Sequence, residues 1–372
     1  MQMGNGIKLR GTLLTVVFWL ASASAADDGW TVDRLQDELG VQTGWTVVKN
    51  LPTWSANPTV LVRSGRPYAA GLAEVVPGID VIEISSMSEA MLHAPHANVI
   101  LGFCDAELLE AAPNLSWVFV FHAGVERCPL SERLARGDVV VTNFQKLASP
   151  AIGEHAIAMM LALGRSLPRF GKAMPAGEWR RDLASEPGMQ VVTGRTILVA
   201  GLGGIGQQVS LRAKALGMEV LATRNSSREG PTYVDYVGLP HELPELVKRA
   251  DVVVNSLPLT GATKGLFDAT LFADFKEGAY FINVGRGGTV DTDALHEALT
   301  SGRLAGAGLD VTDPEPLPPD HPLWQLPNVI ITPHISARGF DRASLRFVIV
   351  ENLRRYMAGE TLLNEVEPAR GY

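Results

Sequence analysis

Residues 196–217 read TILVAGLGGIGQQVSLRAKALG, and their reading decides the fold. An apolar run leads into a glycine turn and a helix-like stretch leaves it, giving strand, turn and helix in that order. The glycines stand at G-x-G-x-x-G spacing. Gly201 permits the tight turn, Gly203 lets backbone approach a pyrophosphate, and Gly206 lets the helix sit close to the strand. The free N–H groups of the helix start would face the phosphates. The glycine spacing alone is weak, but a second strand candidate, EVLATR at 219–224, follows on schedule.

That second strand should end on an Asp or Glu that holds a ribose hydroxyl. It ends instead on Arg224, followed by Asn225, Ser226 and Ser227, with Arg228 next. An acid would repel a 2′-phosphate, whereas a guanidinium matches phosphate oxygens with a fork of donors. Arg224 and Ser226 therefore point to NADP(H), with Arg228 as a second cation. If Arg224 is only a solvated charge at a strand end, NAD(H) is accepted.

Outward toward the C-terminus, strand candidates continue with DVVVNSLP, AYFINVG, AGAGLDV and VIITPH. Arg286 follows one, Asp310 ends another with Glu315 in the Pro-rich loop beyond it, and His334 ends the next. In open α/β sheets ligands bind beyond the carboxyl ends of the strands, so these residues share an edge with the glycine turn. Taken singly, His334 reads as a core histidine, Glu315 as a loop charge and Arg286 as a helix-terminus charge. Together they suit hydride transfer to a ketone. A histidine donates the proton that the alkoxide needs, a carboxylate favours its imidazolium form, and an arginine binds a carboxylate and polarises the neighbouring carbonyl.

Toward the N-terminus a similar series runs TVLVRS, IDVIEIS, NVILGF, LSWVFVF and DVVVTN, with helix-like stretches between, such as MSEAMLH. Alternating strands and helices imply parallel sheets. The fold class is α/β, with two doubly wound parallel-sheet domains, flavodoxin-like and Rossmann-like, and a cleft between them. SPAIGEHAIAMMLALGRSL is a long helix that Ser149 can cap, with Pro150 in its first turn. GEWRRDLASEPGMQVVTG is a polar linker. FDRASLRFVIVENLRRYMAGE is a helix that returns to the first domain, and the tail VEPARGY is loosely ordered.

VAGLGGIG, NVGRGGTVD, GLDVTDPEPLPPDHPLW, ITPHIS, SPAIGEHAIAMMLALGR and FHAGVE together resemble the D-isomer-specific 2-hydroxyacid dehydrogenase family over nearly all of residues 45–360. Glyoxylate and hydroxypyruvate reductases are the most similar subgroup. The resemblance implies that Arg286 binds and polarises a 2-keto acid, that His334 is the acid/base and that Glu315 is its partner. Backbone at Ala123, Gly124 and Val125 would hold the substrate carboxylate. The implied cofactor set is Gly201, Gly203, Gly204, Ile205, Gly206, Arg224, Ser226, Leu257, Pro258, Thr263, Val284, Arg286 and Asp310, with Gly204 and Ile205 at the pyrophosphate and Asp310 at the nicotinamide carboxamide. A homodimer is implied, with no metal. Substrate selectivity would come from first-domain loops, Trp179 or a partner subunit. One segment departs from the family: NFQKLASP is more polar than the usual approach to the interdomain helix.

The first 25 residues hold a basic start, a short apolar run at 11–20 and an Ala-Ser-Ala site, the parts of a secretory signal peptide. The expected organisation is a leader at 1–25, a substrate domain at 26–147 completed by 336–372, and a cofactor domain at 148–335. The chain would be periplasmic or secreted, the alternative being cytoplasmic. Export is unusual for an enzyme that needs a soluble reduced cofactor. The net charge of −8 and the lack of a basic run argue against a nucleic-acid partner, and no segment besides the leader suggests a membrane. Cys104 and Cys128 read as free thiols first, and as a disulfide if the chain is exported. An alternative function is a catalytically weak nucleotide-binding or sensing protein of the same fold.

Overall fold

The computed structural model describes residues 29–66, 68–121, 124, 128, 131–184 and 190–367. The expected leader lies outside the described residues. Strands in chain order are β1 (Thr43–Val47), β2 (Thr59–Arg63), β3 (Asp80–Ile84), β4 (Val99–Leu101), β5 (Trp117–Val120), β6 (Val140–Asn143), β7 (Thr196–Ala200), β8 (Glu219–Thr223), β9 (Tyr236–Gly238), β10 (Val252–Asn255), β11 (Ala279–Asn283), β12 (Leu304–Leu309), β13 (Val329–Ile331), β14 (Thr361–Leu363) and β15 (Glu365–Val366). Three helices matter most for the site: α1 (Ser149–Gly164), α2 (Gly204–Ala215) and α3 (Arg342–Ala358).

The first sheet runs β15-β6-β5-β4-β2-β3 and the second β13-β12-β11-β10-β7-β8-β9. All neighbours are parallel except the antiparallel β15–β6 pair. Leaving β15 aside, the first order is the flavodoxin-like one and the second is the doubly wound order of dinucleotide-binding domains. The central strands are buried along their whole length, as in WVFV of β5 and VVVN of β10, which is how a parallel strand covered on both faces reads.

Helix α1 packs its buried Ile152, Ala156, Met159, Met160 and Leu163 in one cluster with Ile197, Val199, Val254 and Ile282 of the second sheet. Close approach depends on the small residues of β12: a Cβ on Gly308 would lie 2.9 Å from Met159. Helix α3 buries Leu345, Val348, Ile349, Leu353 and Tyr356 with Val60, Val99 and Trp117 of the first sheet. Each such side chain contributes roughly 1.5–3 kcal/mol, so the chain's last helix is a part of the first core.

Three expectations need correction. Ser149 does not cap α1: Ala148 is the N-cap, without a side-chain bond, and Ser149 is the first helical residue. The tail is not loose at its start. Val366 pairs with Val141 in β15, and the Glu365 carboxylate accepts the N–H groups of Trp45 and Thr46 at 2.7 and 2.9 Å. The thiols are not free either. Cys104 and Cys128 form a disulfide, with Cα atoms 5.0 Å apart. They follow β4 and β5, parallel neighbours whose ends lie side by side.

Candidate functional site

The glycine turn leaves β7 and is held by its neighbours. The N–H groups of Gly201 and Leu202 donate to Thr223 Oγ1 and Thr223 O, at 3.2 and 2.8 Å. Ser256 Oγ, beyond β10, donates to Gly201 O at 2.8 Å. A Cβ at Gly206 would lie 2.1 Å from Gly201 O, so glycine is required there for α2 to leave so close to the turn. The space in front of Gly203 is open, with nothing within 4 Å of where its Cβ would be. The N–H groups of Gly204, Ile205 and Gly206 have no acceptor among the described residues, as expected of a helix start. A cradle with open donors at the switch point between β7 and β10 fits the pyrophosphate of a dinucleotide.

Arg224 lies just past β8, with Nη1 donating to Glu229 O at 3.0 Å. Ser226 is exposed beside it. Arg228 does not act as a second free cation there: it pairs with Glu242 at 2.7 Å and donates to Tyr236 Oη at 3.1 Å. Hydrogen bonds from Tyr236 and the Leu239 N–H, helped by Arg228, hold the Glu242 carboxyl down at about 2. Leu257 lies against Gly201, its Cδ2 3.1 Å from where a Cβ would stand. The Thr263 hydroxyl is turned into its own loop and donates to Pro258 O at 2.6 Å.

Val284 is buried, and Arg286 is half-buried two residues further on. Arg286 Nη1 donates to Gly285 O at 2.9 Å. Its main-chain O accepts from Asn283 Nδ2 at 3.3 Å and Thr289 Oγ1 at 2.7 Å, and Asn255 Nδ2 bonds both Asn283 and Thr289. This buried amide network fixes the loop and was missed in the sequence. Its signal is an Asn closing each of two apolar strands. A Cβ on Gly287 would lie 1.8 Å from Thr312 O, so the Arg286 loop is pressed against the loop that carries Glu315.

His334 sits just past β13 at φ 53°, in the left-handed region. Its Nδ1 is 2.8 Å from Glu315 Oε1, and both side chains are nearly half exposed, at 46% and 45%. Because an ionised carboxylate only accepts, Nδ1–H is the donor and Nε2 is left to exchange a proton. The turn under His334 is built on Asp310, 1% exposed. Its carboxylate accepts from Thr332 Oγ1 at 2.7 Å and from the N–H groups of Ile335 and Ser336 at 2.9 and 3.0 Å. The His334 N–H donates to Asp310 O at 2.8 Å. Burial by itself would raise the Asp310 carboxyl, but the hydrogen bonds from Ser336, Thr332 and Ile335 outweigh it and lower it. From α1, His155 Nε2 reaches Thr332 Oγ1 at 2.9 Å. His155, Thr332 and Ser336 were not singled out in the sequence.

The sheet thus brings Gly201, Arg224, Leu257, Val284, Arg286, Asp310 and His334 to the carboxyl ends of its strands. Gly124 of FHAGVE is partly buried, while Ala123 and Val125 lie outside the described residues. Among the described residues no group of three or more His, Cys, Asp or Glu could hold a metal ion, and no helix is long and apolar enough to cross a membrane.

Comparison with known proteins follows the same lines. Residues 157–336 match the profile described as D-isomer specific 2-hydroxyacid dehydrogenase, NAD binding domain. The chain is 34% identical over 263 residues to a glyoxylate reductase of Korarchaeum cryptofilum, covering 69% of this chain and 77% of that one. Its structure is similar to a D-isomer specific 2-hydroxyacid dehydrogenase from Xanthobacter autotrophicus Py2 solved with NADPH (TM-score 0.71, 30% identity, 85% of this chain and 100% of that one). It is also similar to an NADPH-dependent glyoxylate/hydroxypyruvate reductase from Sinorhizobium meliloti solved with NADP and sulfate (TM-score 0.69, 28% identity, 85% and 100%).

Proposed function

Since the chain belongs to the D-isomer-specific 2-hydroxyacid dehydrogenase family, we propose that it reduces a small 2-keto acid of the glyoxylate or hydroxypyruvate kind to the corresponding 2-hydroxy acid, of D configuration where C2 is a stereocentre, with NADP(H) in preference to NAD(H). It is an NAD(P)-dependent enzyme, and the nicotinamide supplies the hydride. The observation that carries the catalytic reading is the 2.8 Å contact of His334 with Glu315 on the edge that also bears Arg286 and the glycine turn. Arg286 binds the substrate carboxylate and polarises the ketone, with help from backbone at 123–125. His334, as the imidazolium, gives its Nε2 proton to the oxygen as the carbonyl becomes an alkoxide and is left neutral. Glu315 holds the ring through Nδ1–H and favours the charged form that carries the proton before transfer.

The NADP(H) preference is supported by Arg224 where an acid would exclude a 2′-phosphate, and by the NADPH and NADP of the two solved relatives. We take the substrate domain as 26–147 with 336–372, and the cofactor domain as 148–335. A homodimer is supported by apolar side chains left exposed along one stretch, Leu167, Met174, Trp179 and Val191, at 55%, 76%, 87% and 64%. Export with removal of 1–25 is supported by the disulfide, which persists in oxidising compartments. Fractionation of the tagged full-length chain tests that placement.

The deciding experiment mixes the purified chain with NADPH or NADH and glyoxylate, hydroxypyruvate or pyruvate, and follows the reduced-nicotinamide absorbance. Turnover faster with NADPH is expected. No oxidation with any of these keto acids would overturn the enzymatic reading in favour of a nucleotide-binding or sensing role, and equal or better turnover with NADH would overturn the cofactor preference.

A further inference from the structure

The segment NFQKLASP crosses from β6 to α1 directly in front of the glycine turn. A Cβ at Gly204 would lie 2.7 Å from Ser149 Oγ, 3.0 Å from Lys146 Cγ and 3.5 Å from Lys146 Cα. The stem of Lys146 therefore fills the space that a side chain on the first residue of α2 would take. Lys146 is held there at φ 72°, a left-handed conformation that a lysine adopts only at a cost. Its ammonium donates to Gly40 O, and the same N-terminal turn reaches α2 where Gln208 Nε2 donates to Glu38 O at 3.5 Å.

An ammonium has three donors, and Gly40 takes one. No carboxylate pairs with Lys146 or with Arg224 among the described residues; each side chain bonds only a main-chain oxygen. Burial first, and then the charge of Arg224, push the Lys146 ammonium down to about 8. Two cations that repel each other thus stand without a counter-charge beside the positive end of a 12-residue helix. That arrangement lacks an anion.

We propose that Lys146 is a phosphate-binding residue of the dinucleotide site, closing on the pyrophosphate from the wall opposite the N–H groups of Gly204 and Ile205 and leaving the 2′-phosphate to Arg224. This rests on the NAD(P) reading above. The hinge between the two sheets then takes part directly in cofactor binding, and the strained backbone at Lys146 places the charge.

The test is equilibrium binding, read from quenching of tryptophan fluorescence, for NADPH, NADH, ADP and 2′,5′-ADP. Lys146→Met keeps the packed stem and removes the charge. It should raise Kd for NADPH, NADH and ADP alike, by roughly 10-fold, and raise it less for 2′,5′-ADP, which keeps only the 5′-phosphate of the pyrophosphate. Lys146→Arg should recover most of the loss. Arg224→Gln should weaken NADPH and 2′,5′-ADP but not NADH. If Lys146→Met does not fold, as judged by circular dichroism, Lys146→Gln replaces it. Unchanged affinity for NADPH and NADH, or a loss confined to the 2′-phosphorylated ligands, would overturn the assignment. Wild-type protein that binds no dinucleotide at all would instead overturn the NAD(P) reading itself, and the role of Lys146 with it.

Discussion

Oε1 of Glu315 stands 2.8 Å from Nδ1 of His334, and the two residues arrive on loops that follow adjacent parallel strands, β12 and β13. Glu315→Gln keeps the size and removes the charge. Its expected effect is a fall in kcat of roughly 10–100-fold with little change in KM. Steady-state kinetics with the best keto acid check this; an unchanged kcat would remove Glu315 from the mechanism.

His334→Asn is the informative change at the other partner. Asn tolerates the left-handed backbone that His334 adopts at φ 53° better than most residues, so the turn should survive. Turnover should drop by about 100-fold or more, while the thermal midpoint stays close to wild type. A fall in both together would mean that the imidazole holds the turn rather than moving a proton.

Asp310 holds that turn from below. In Asp310→Asn an NH2 donor replaces one acceptor opposite the N–H of Ile335 or Ser336, and about 2–4 kcal/mol of stability should be lost, read from urea midpoints. The pH dependence has a definite sign. The folded-state carboxyl is lowered, so its contribution is fully present above the unfolded value of about 3.9 and is lost as pH falls through the lower folded value. The gap between wild type and variant should therefore be constant at neutral pH and narrow in acid below about 4.

Reduction of the bridge between Cys104 and Cys128 should also destabilise the chain. The cysteines are 24 residues apart, and closing a loop of that order is worth about 3 kcal/mol in the chain-entropy account. Thermal midpoints with and without a dithiol reductant measure it, and mass spectrometry after alkylation counts the thiols. Two alkylated cysteines without reductant would show that the bridge is absent.

Trp179, exposed by 87%, offers the simplest probe of self-association. Trp179→Glu should convert a dimer to a monomer in light scattering, because a charge at an apolar interface core is strongly unfavourable. Monomeric wild-type protein would end the dimer reading.

Much of this was legible in the sequence because parallel strands buried on both faces are continuous apolar runs. DVVVNSLP and AYFINVG mark β10 and β11 within three residues at either end. The short edge pieces β9, β14 and β15 span two or three residues, too few for a period, and β15 is ordered by pairing with a strand more than two hundred residues earlier in the chain. Arg224 was placed by counting from the glycine turn. The tie between Arg228 and Glu242 was not visible, since it depends on Tyr236 folding back beside them. Lys146 stood out only as a polar residue in an unusual segment. Its place in front of Gly204 comes from how the hinge folds, which no local pattern encodes.

The first sheet is closed by Glu365 and Val366, while the second is complete by Ile331. On a ribosome, the unit built on the second sheet has all its strands in hand before the one built on the first does. The unit built on the first sheet must wait, with the apolar edge of β6 uncovered and the partner helix of its core still unmade, until Val366 has been synthesised. A truncation after Glu360, which removes β14 and β15, should therefore harm the half of the molecule that was made first.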